Sequence, residues 1–184
     1  MAKMVQSALL ATLALLLVSA AYADLEEACK KTTDPAYCKT LLEPSAAEFA
    51  DNNPAKMQAA STKAAVEKIV AVRTLLSGPL ASGARDNKTR EAIRLCLVDV
   101  NNSPLSTSKR RGSNTAISPQ AERSEAISTA AMAAEEMVKC QNTLKRNEKD
   151  AKAAGGDSAE ITTQGIKAAA EAELACNIAK GLIA

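Results

Sequence analysis

The residues of this chain most able to do covalent chemistry are its cysteines. Five thiols stand at Cys29, Cys38, Cys96, Cys140 and Cys176, and the 184 residues include no histidine. Without an imidazole there is no Ser-His or Cys-His dyad and no histidine-based metal site. Cys29 and Cys38 lie nine positions apart, a spacing that taken alone would suit a redox or a metal element. Cys176 would be a nucleophile only beside an activating base, and none is visible near it, so it reads as a small buried apolar residue. Adjacent carboxylates such as Glu135 and Glu136 point about 100° apart on a helix and describe a solvated face. No catalytic, metal or cofactor-binding residue is expected.

Asparagine offers the other modification chemistry. Asn87-Lys88-Thr89 is an acceptor sequence for an N-linked glycan. Asn101-Asn102-Ser103 is a second, but Pro104 directly after it disfavours use. Disulfides and glycans both require the secretory route, and the N-terminus fits that route. Lys3 supplies a positive start, Leu9 to Val18 is an apolar run, and Ala21-Tyr22-Ala23 has the small-x-small cleavage pattern. The run falls short of the roughly 18 residues a membrane span needs. Residues 1–23 are therefore expected to be a signal peptide, and 24–184 a secreted domain without a membrane anchor. Setting Lys3 aside leaves 22 of the 23 basic residues against 21 acidic ones, a charge of +1. Such a balance makes no electrostatic case for nucleic acid or anionic membranes. The short basic run Lys109-Arg110-Arg111 reads as a solvated loop.

Secretion makes the thiols disulfide candidates. Five of them form two bridges with one left over in fifteen ways, and sequence alone does not choose.

The elements that carry these residues are helical throughout. The chain is rich in alanine, lacks tryptophan, and keeps only Tyr37 and Phe49 as aromatics after residue 23. Alanine has the best helix propensity, while the β-branched and aromatic runs of a sandwich are missing. In residues 24–44 the Asp34-Pro35 step marks a turn between two short helices, one with Leu25, Ala28 and Cys29 on a face, the other with Tyr37, Leu41 and Leu42. A Cys29–Cys38 bridge would close them into a hairpin. A connector from Ser45 to Pro54 follows, with Asp51 or an asparagine as the cap of the first long helix, which runs to about Ser77 on a face of Ala65, Ile69, Val72 and Leu76. Gly78-Pro79 stops it, and a polar loop leads to a second helix from about Asn87 to Asn101, facing inward with Ile93, Cys96, Leu97 and Val100.

Pro104 interrupts, with helical pattern resuming briefly near Leu105. A third helix opens at Ser118-Pro119 and runs to about Glu148, with Ala130, Ala133, Met137, Cys140 and Leu144 inward. After Gly155-Gly156 a fourth begins near Asp157 or Ser158, either of which could cap it, and its seam is Ile161, Gly165, Ala168, Ala172, Ala175, Ala179 and Leu182. A Cys96–Cys140 bridge would tie neighbouring helices. The expected fold is all-α: an N-terminal helical hairpin packed on an antiparallel up-down-up-down four-helix bundle over residues 54–184.

This arrangement resembles the plant invertase and pectin methylesterase inhibitor family over the whole of residues 25–184. The resemblance is carried by CKKTTDPAYC at 29–38, AIRLC at 92–96 and SEAISTAAMAAEEMVKC at 124–140. It implies bridges Cys29–Cys38 and Cys96–Cys140, with Cys176 as the extra free thiol many members carry. It implies a secreted protein of the plant cell wall that occludes the cleft of one target enzyme, in a 1:1 complex, and performs no chemistry itself. Two departures are Val100 and Leu144, where members often carry an aromatic side chain. Invertase inhibitors share an Asp-Pro-Lys-Phe stretch before the third cysteine; the corresponding residues here are Asp86-Asn87-Lys88-Thr89. The loss of proline and aromatic favours pectin methylesterase as the target, with acid invertase, or a divergent structural or signalling bundle without inhibitory activity, as the alternatives.

Overall fold

A computed structural model describes residues 24–49, 53–107 and 119–183. The expected signal segment 1–23, Asp51, the Lys109-Arg110-Arg111 run and Ser118 lie outside the described residues. Within them the chain is all-α, with no strand and two disulfides, Cys29–Cys38 and Cys96–Cys140.

Residues 24–29 form α1 and Pro35–Leu42 form α2. Pro35 occupies the first helical position of α2, where its missing N–H costs nothing, and the Asp34 carboxylate accepts from the Tyr37 N–H at 2.9 Å. Cys29 and Cys38 are both fully buried between them, beside Leu25, Ala28 and Leu42. The connector expected after the hairpin is itself structured: Glu43–Phe49 winds as a 3₁₀ helix. The physical reason is Phe49, completely buried in the same apolar cluster as Leu42 and Ile178. Taking one such ring out of water stabilises by about 1.5–3 kcal/mol, enough to hold a short segment in place.

Among the candidate caps of α3 (Pro54–Leu76), Asn53 does the work, accepting from the Ala55 N–H at 3.0 Å and the Lys56 N–H at 3.4 Å. Ala65, Ile69, Val72 and Leu76 are all buried on the expected face. Pro79 does more than stop α3; it opens a one-turn helix, α4 (Pro79–Ser82), inside what the sequence presents as a turn and loop. Helix α5 (Asn87–Asn102) buries Ile93, Cys96 and Val100, with Leu97 partly covered. The brief resumption near Leu105 is α6 (Pro104–Thr107).

Helix α7 (Pro119–Ala154) runs past the end at Glu148 that the sequence suggests. Its charged close, NEKDAKAA, hides a continuing inward row: Leu144, Asn147 and Ala151 are all buried at helical spacing. The reversal into α8 (Gly156–Ile183) uses two left-handed residues, Gly155 at φ 68° and Gly156 at φ 52°. Asp157 and Ser158, the expected caps of α8, both lie within its first turn. Of the expected α8 seam, Ile161, Gly165, Ala172, Ala175 and Ala179 are buried, whereas Ala168 and Leu182 are only partly covered and Ala169, Cys176 and Ile178 are buried beside them.

Residue pairs fix how the long helices run. Leu144 of α7 meets Gly165 of α8, and Arg123 near the start of α7 hydrogen-bonds the Ile183 carbonyl at the end of α8, so the two are antiparallel. Lys68 with Glu171 and Leu76 with Gly165 place α3 antiparallel to α8. Cys96 with Cys140 and Thr89 with Asn147 do the same for α5 and α7. Three helices meet closely at Gly165: a Cβ there would lie 2.8 Å from Leu144 Cδ1 and 3.2 Å from Leu76 Cδ2. Alanines along α7 and α8 permit the rest of the approach.

Candidate functional site

The five thiols fall into two states. Four are bridged, and the fifth, Cys176, is free and fully buried on α8. Burial pushes its thiol up to about 12, with Glu173 adding to the rise, so it stays protonated at ordinary pH and is no nucleophile. Glu135 is exposed as expected of a solvated face, whereas the Glu136 side chain is only 19% exposed and held by Lys139 at 2.7 Å. Among the described residues no group of His, Cys, Asp and Glu could hold a metal ion, and no helix is long and apolar enough to cross a membrane.

The segment Asp86 to Thr89 is where several elements converge. Asp86 caps α5, its carboxylate accepting from the Thr89 N–H at 2.7 Å. Burial pushes that carboxyl up, but the Thr89 amide bonded to it and the polar groups beside it, the Ser158 hydroxyl of α8 first among them, outweigh burial and hold the group below its usual range. The Thr89 hydroxyl is fully buried and accepts from Asn147 Nδ2 of α7 at 2.8 Å. Lys88, pointing outward, pairs with Asp150 of α7 at 2.9 Å. Thr89 and Lys88 therefore pin the start of α5 to α7, and of the four residues only Asn87 and Lys88 are fully presented to solvent. Asn87 sits at the first position of α5, its side-chain oxygen touched by the Arg90 guanidinium.

From Asn87 an open groove follows the seam of α5 and α7, past Lys88, Glu91 and Leu95 on one side and Thr143 and Arg146 on the other. Its continuation reaches Asp99 and Lys139. Leu95 and Val98 are 41% and 44% exposed, two of four large apolar side chains so exposed among the described residues. Glu91 is bound to Arg94 at 2.6 Å, whereas Arg146 and Lys145 reach only the neutral Thr143 and Gln141. The groove thus mixes an apolar strip on α5 with net positive charge on α7. It has no enclosed pocket that would hold a small substrate.

At the other end of the molecule the hairpin is fastened to α3 and α8. Lys68 pairs with Glu171 at 2.9 Å and lies 5.9 Å from the centre of the Tyr37 ring, while the Tyr37 hydroxyl reaches the Glu171 carbonyl at 3.5 Å. Both ion-pair partners are about one-third exposed, so their contribution is near the ordinary surface value of at most about 1 kcal/mol.

Asn147 is the residue that sequence reading passes over, while Thr89 is read there only as part of the sequon and Ser158 only as a candidate helix cap. Thr89 carries a signal only in hindsight, because its role in the sequon masks its position on the inward side of α5. Asn147 and Ser158 show no sign of burial beyond falling at helical spacing from Leu144 and Ile161. No known family profile, curated protein or solved structure matches this chain.

Proposed function

We propose that the chain is a secreted, non-catalytic inhibitor that occludes the active-site cleft of a plant carbohydrate-modifying enzyme, pectin methylesterase before acid invertase, in a 1:1 complex. The reading takes the fold as an N-terminal helical hairpin docked on an up-down-up-down four-helix bundle, consistent with the antiparallel pairs α3–α8, α8–α7 and α7–α5. It places the chain in the invertase and pectin methylesterase inhibitor family and the protein in the cell wall.

One observation carries it. Of the fifteen ways to form two bridges, the cysteines adopt Cys29–Cys38 and Cys96–Cys140 with Cys176 free, the pattern the family resemblance implies. The departures at Val100 and Leu144 are fully buried apolar side chains, so they keep the core filled while still setting the chain apart from members that carry aromatics there.

The preference for pectin methylesterase rests on Asp86 to Thr89. The invertase-type inhibitor presents a proline and an aromatic in this stretch. Here the proline position is an exposed asparagine, and the aromatic position is Thr89, buried and bonded to Asn147. Lys88 is drawn to Asp150. No apolar wedge stands at this surface.

The test is a titration of purified protein against plant pectin methylesterase and acid invertase at fixed enzyme concentration. Stoichiometric loss of esterase activity with invertase untouched is the expected result. Loss of invertase activity alone would exchange the two targets. Inactivity against several isoforms of both would sink the inhibitor reading in favour of a bundle with a structural or signalling role.

A further inference from the structure

We propose that Asn87 carries an N-linked glycan, attached before α5 is capped and docked, and that this glycan covers the apolar strip of α5. The proposal rests on the secretory part of the reading above and is independent of the inhibitory part.

Two properties of the folded sequon set the order of events. Transfer of an oligosaccharide needs the sequon's hydroxyl as well as its asparagine, in a chain free to enter an active site. In the native molecule Thr89 is buried, its hydroxyl accepts from Asn147, and its N–H is bound by Asp86. The folded sequon is therefore closed to the transferase even though Asn87 itself is exposed. Every group that closes it comes from later in the chain or depends on helix formation. Asn147 follows Thr89 by 58 residues. At ordinary synthesis rates that separation leaves about 3 to 12 s in which Thr89 has no partner on α7. Ser158, whose hydroxyl helps hold the Asp86 carboxyl below its usual range, arrives later still. The buried threonine thus becomes a deadline and not an obstacle.

The chemistry balances with a lipid-diphosphate-linked oligosaccharide as donor. Asn87 Nδ2 forms a bond to the anomeric carbon of the sugar. The bond from that carbon to the diphosphate oxygen breaks and leaves with its electron pair, and one amide proton passes to base. Folding afterwards leaves the sugar at the mouth of the α5–α7 groove, because Asn87, Lys88, Glu91 and Leu95 line it together. Leu95 lies eight positions further along α5, about 12 Å at the rise of an α-helix, within the sweep of a branched oligosaccharide. The second sequon also has an exposed asparagine, Asn101, and a buried hydroxyl residue, Ser103; what sets it apart is Pro104 directly after it, which disfavours use.

The experiment translates the full chain with microsomes, once with its own first 23 residues and once with an established secretory leader in their place. Lumenal chains are digested and the Asn87 peptide is weighed before and after peptide-N-glycosidase, which turns a glycan-bearing asparagine into aspartate. Conversion at Asn87, abolished in Asn87→Gln, is the expected result. Adding reductant during translation, which delays closure of Cys96–Cys140, should leave occupancy the same or higher, whereas reductant after folding should not raise it. Lumenal chains bare at Asn87 with either leader would overturn the site. Entry with the foreign leader only, with Asn87 modified, would overturn the native signal segment and keep the site. Covering of the strip is read by hydrophobic-interaction chromatography of folded protein. Asn87→Gln should be retained longer than the glycosylated chain, and Leu95→Lys in that background should reverse the gain; equal retention of the glycosylated and bare proteins overturns the covering.

Discussion

Removing the two disulfides separately should cost unequal amounts of stability, and the structure says by how much. The constraint a bridge places on the unfolded chain grows with the logarithm of the loop it closes. Cys96–Cys140 closes a separation of 44 residues, worth about 4 kcal/mol at room temperature on the chain-entropy relation. Cys29–Cys38 closes only nine, worth about 2.6 kcal/mol on the same relation. All four half-cystines are fully buried, so the replacement should be Cys→Ala, which leaves no buried hydroxyl and truncates each side chain equally. The truncation term then nearly cancels between the two double variants, and the difference of about 1.4 kcal/mol survives. For a chain of this size each kcal/mol moves Tm by about 2–4 °C, so Cys96→Ala/Cys140→Ala should melt about 8–16 °C lower than the parent and Cys29→Ala/Cys38→Ala about 5–10 °C lower. Both are made in a Cys176→Ala background to prevent exchange with the free thiol. Melting is followed by far-UV circular dichroism without reductant. Equal losses, or a larger loss from the hairpin bridge, would refute the loop-length argument.

Two further outcomes follow from single residues. Asp86 has its carboxyl held below the usual range in the folded chain, so its contribution is present above the unfolded value of about 3.9 and is lost as pH falls through the lower folded value. Denaturant midpoints of Asp86→Asn, which keeps a capping side chain, should therefore run flatter than the parent's below about pH 4; identical pH profiles would contradict the assignment. Cys176 should be silent to a thiol reagent at mildly alkaline pH in the native protein and appear as one thiol per chain after unfolding without reductant; more than one would mean that a bridge is missing.

How much of this was legible in the sequence depends on what kind of signal each element leaves. Helix α3 was readable nearly to the residue, because Pro54 and Gly78-Pro79 bracket an unbroken row of Ala65, Ile69, Val72 and Leu76. The inward cysteines were readable for the same reason of spacing, though not their pairing. The end of α7 was not. Its last turns are lysine, glutamate and aspartate, and the buried positions among them are an asparagine and an alanine, which carry no hydrophobic signal. The 3₁₀ turn before Phe49 depends on burial against Leu42 and on the 8-residue α2 ahead of it, contacts that no local pattern encodes. At the candidate site, the exposure of Asn87 was legible from the sequon, but the fate of Thr89 was not. A threonine two residues past an acceptor asparagine reads as a recognition element, and only the approach of Asn147 reveals it as a buried polar contact.

The link between α7 and α8 has a consequence for the handedness of the chain. Helices of 36 and 28 residues are joined by two adjacent glycines that both adopt left-handed φ. A Cβ built on either meets nothing within 4 Å, so no neighbour forbids a side chain there. What excludes an L-residue is the conformation alone, at about 1–2 kcal/mol for each. The mirror-image residue meets no such penalty. D-alanine at Gly155 or Gly156, installed by ligating a synthetic C-terminal segment, should fit the native turn and restrict the unfolded chain, while L-alanine at the same atom count should weaken it. The reversal that aligns the two longest helices is thus a site where stereochemistry, separated from size and polarity, decides whether the residue belongs.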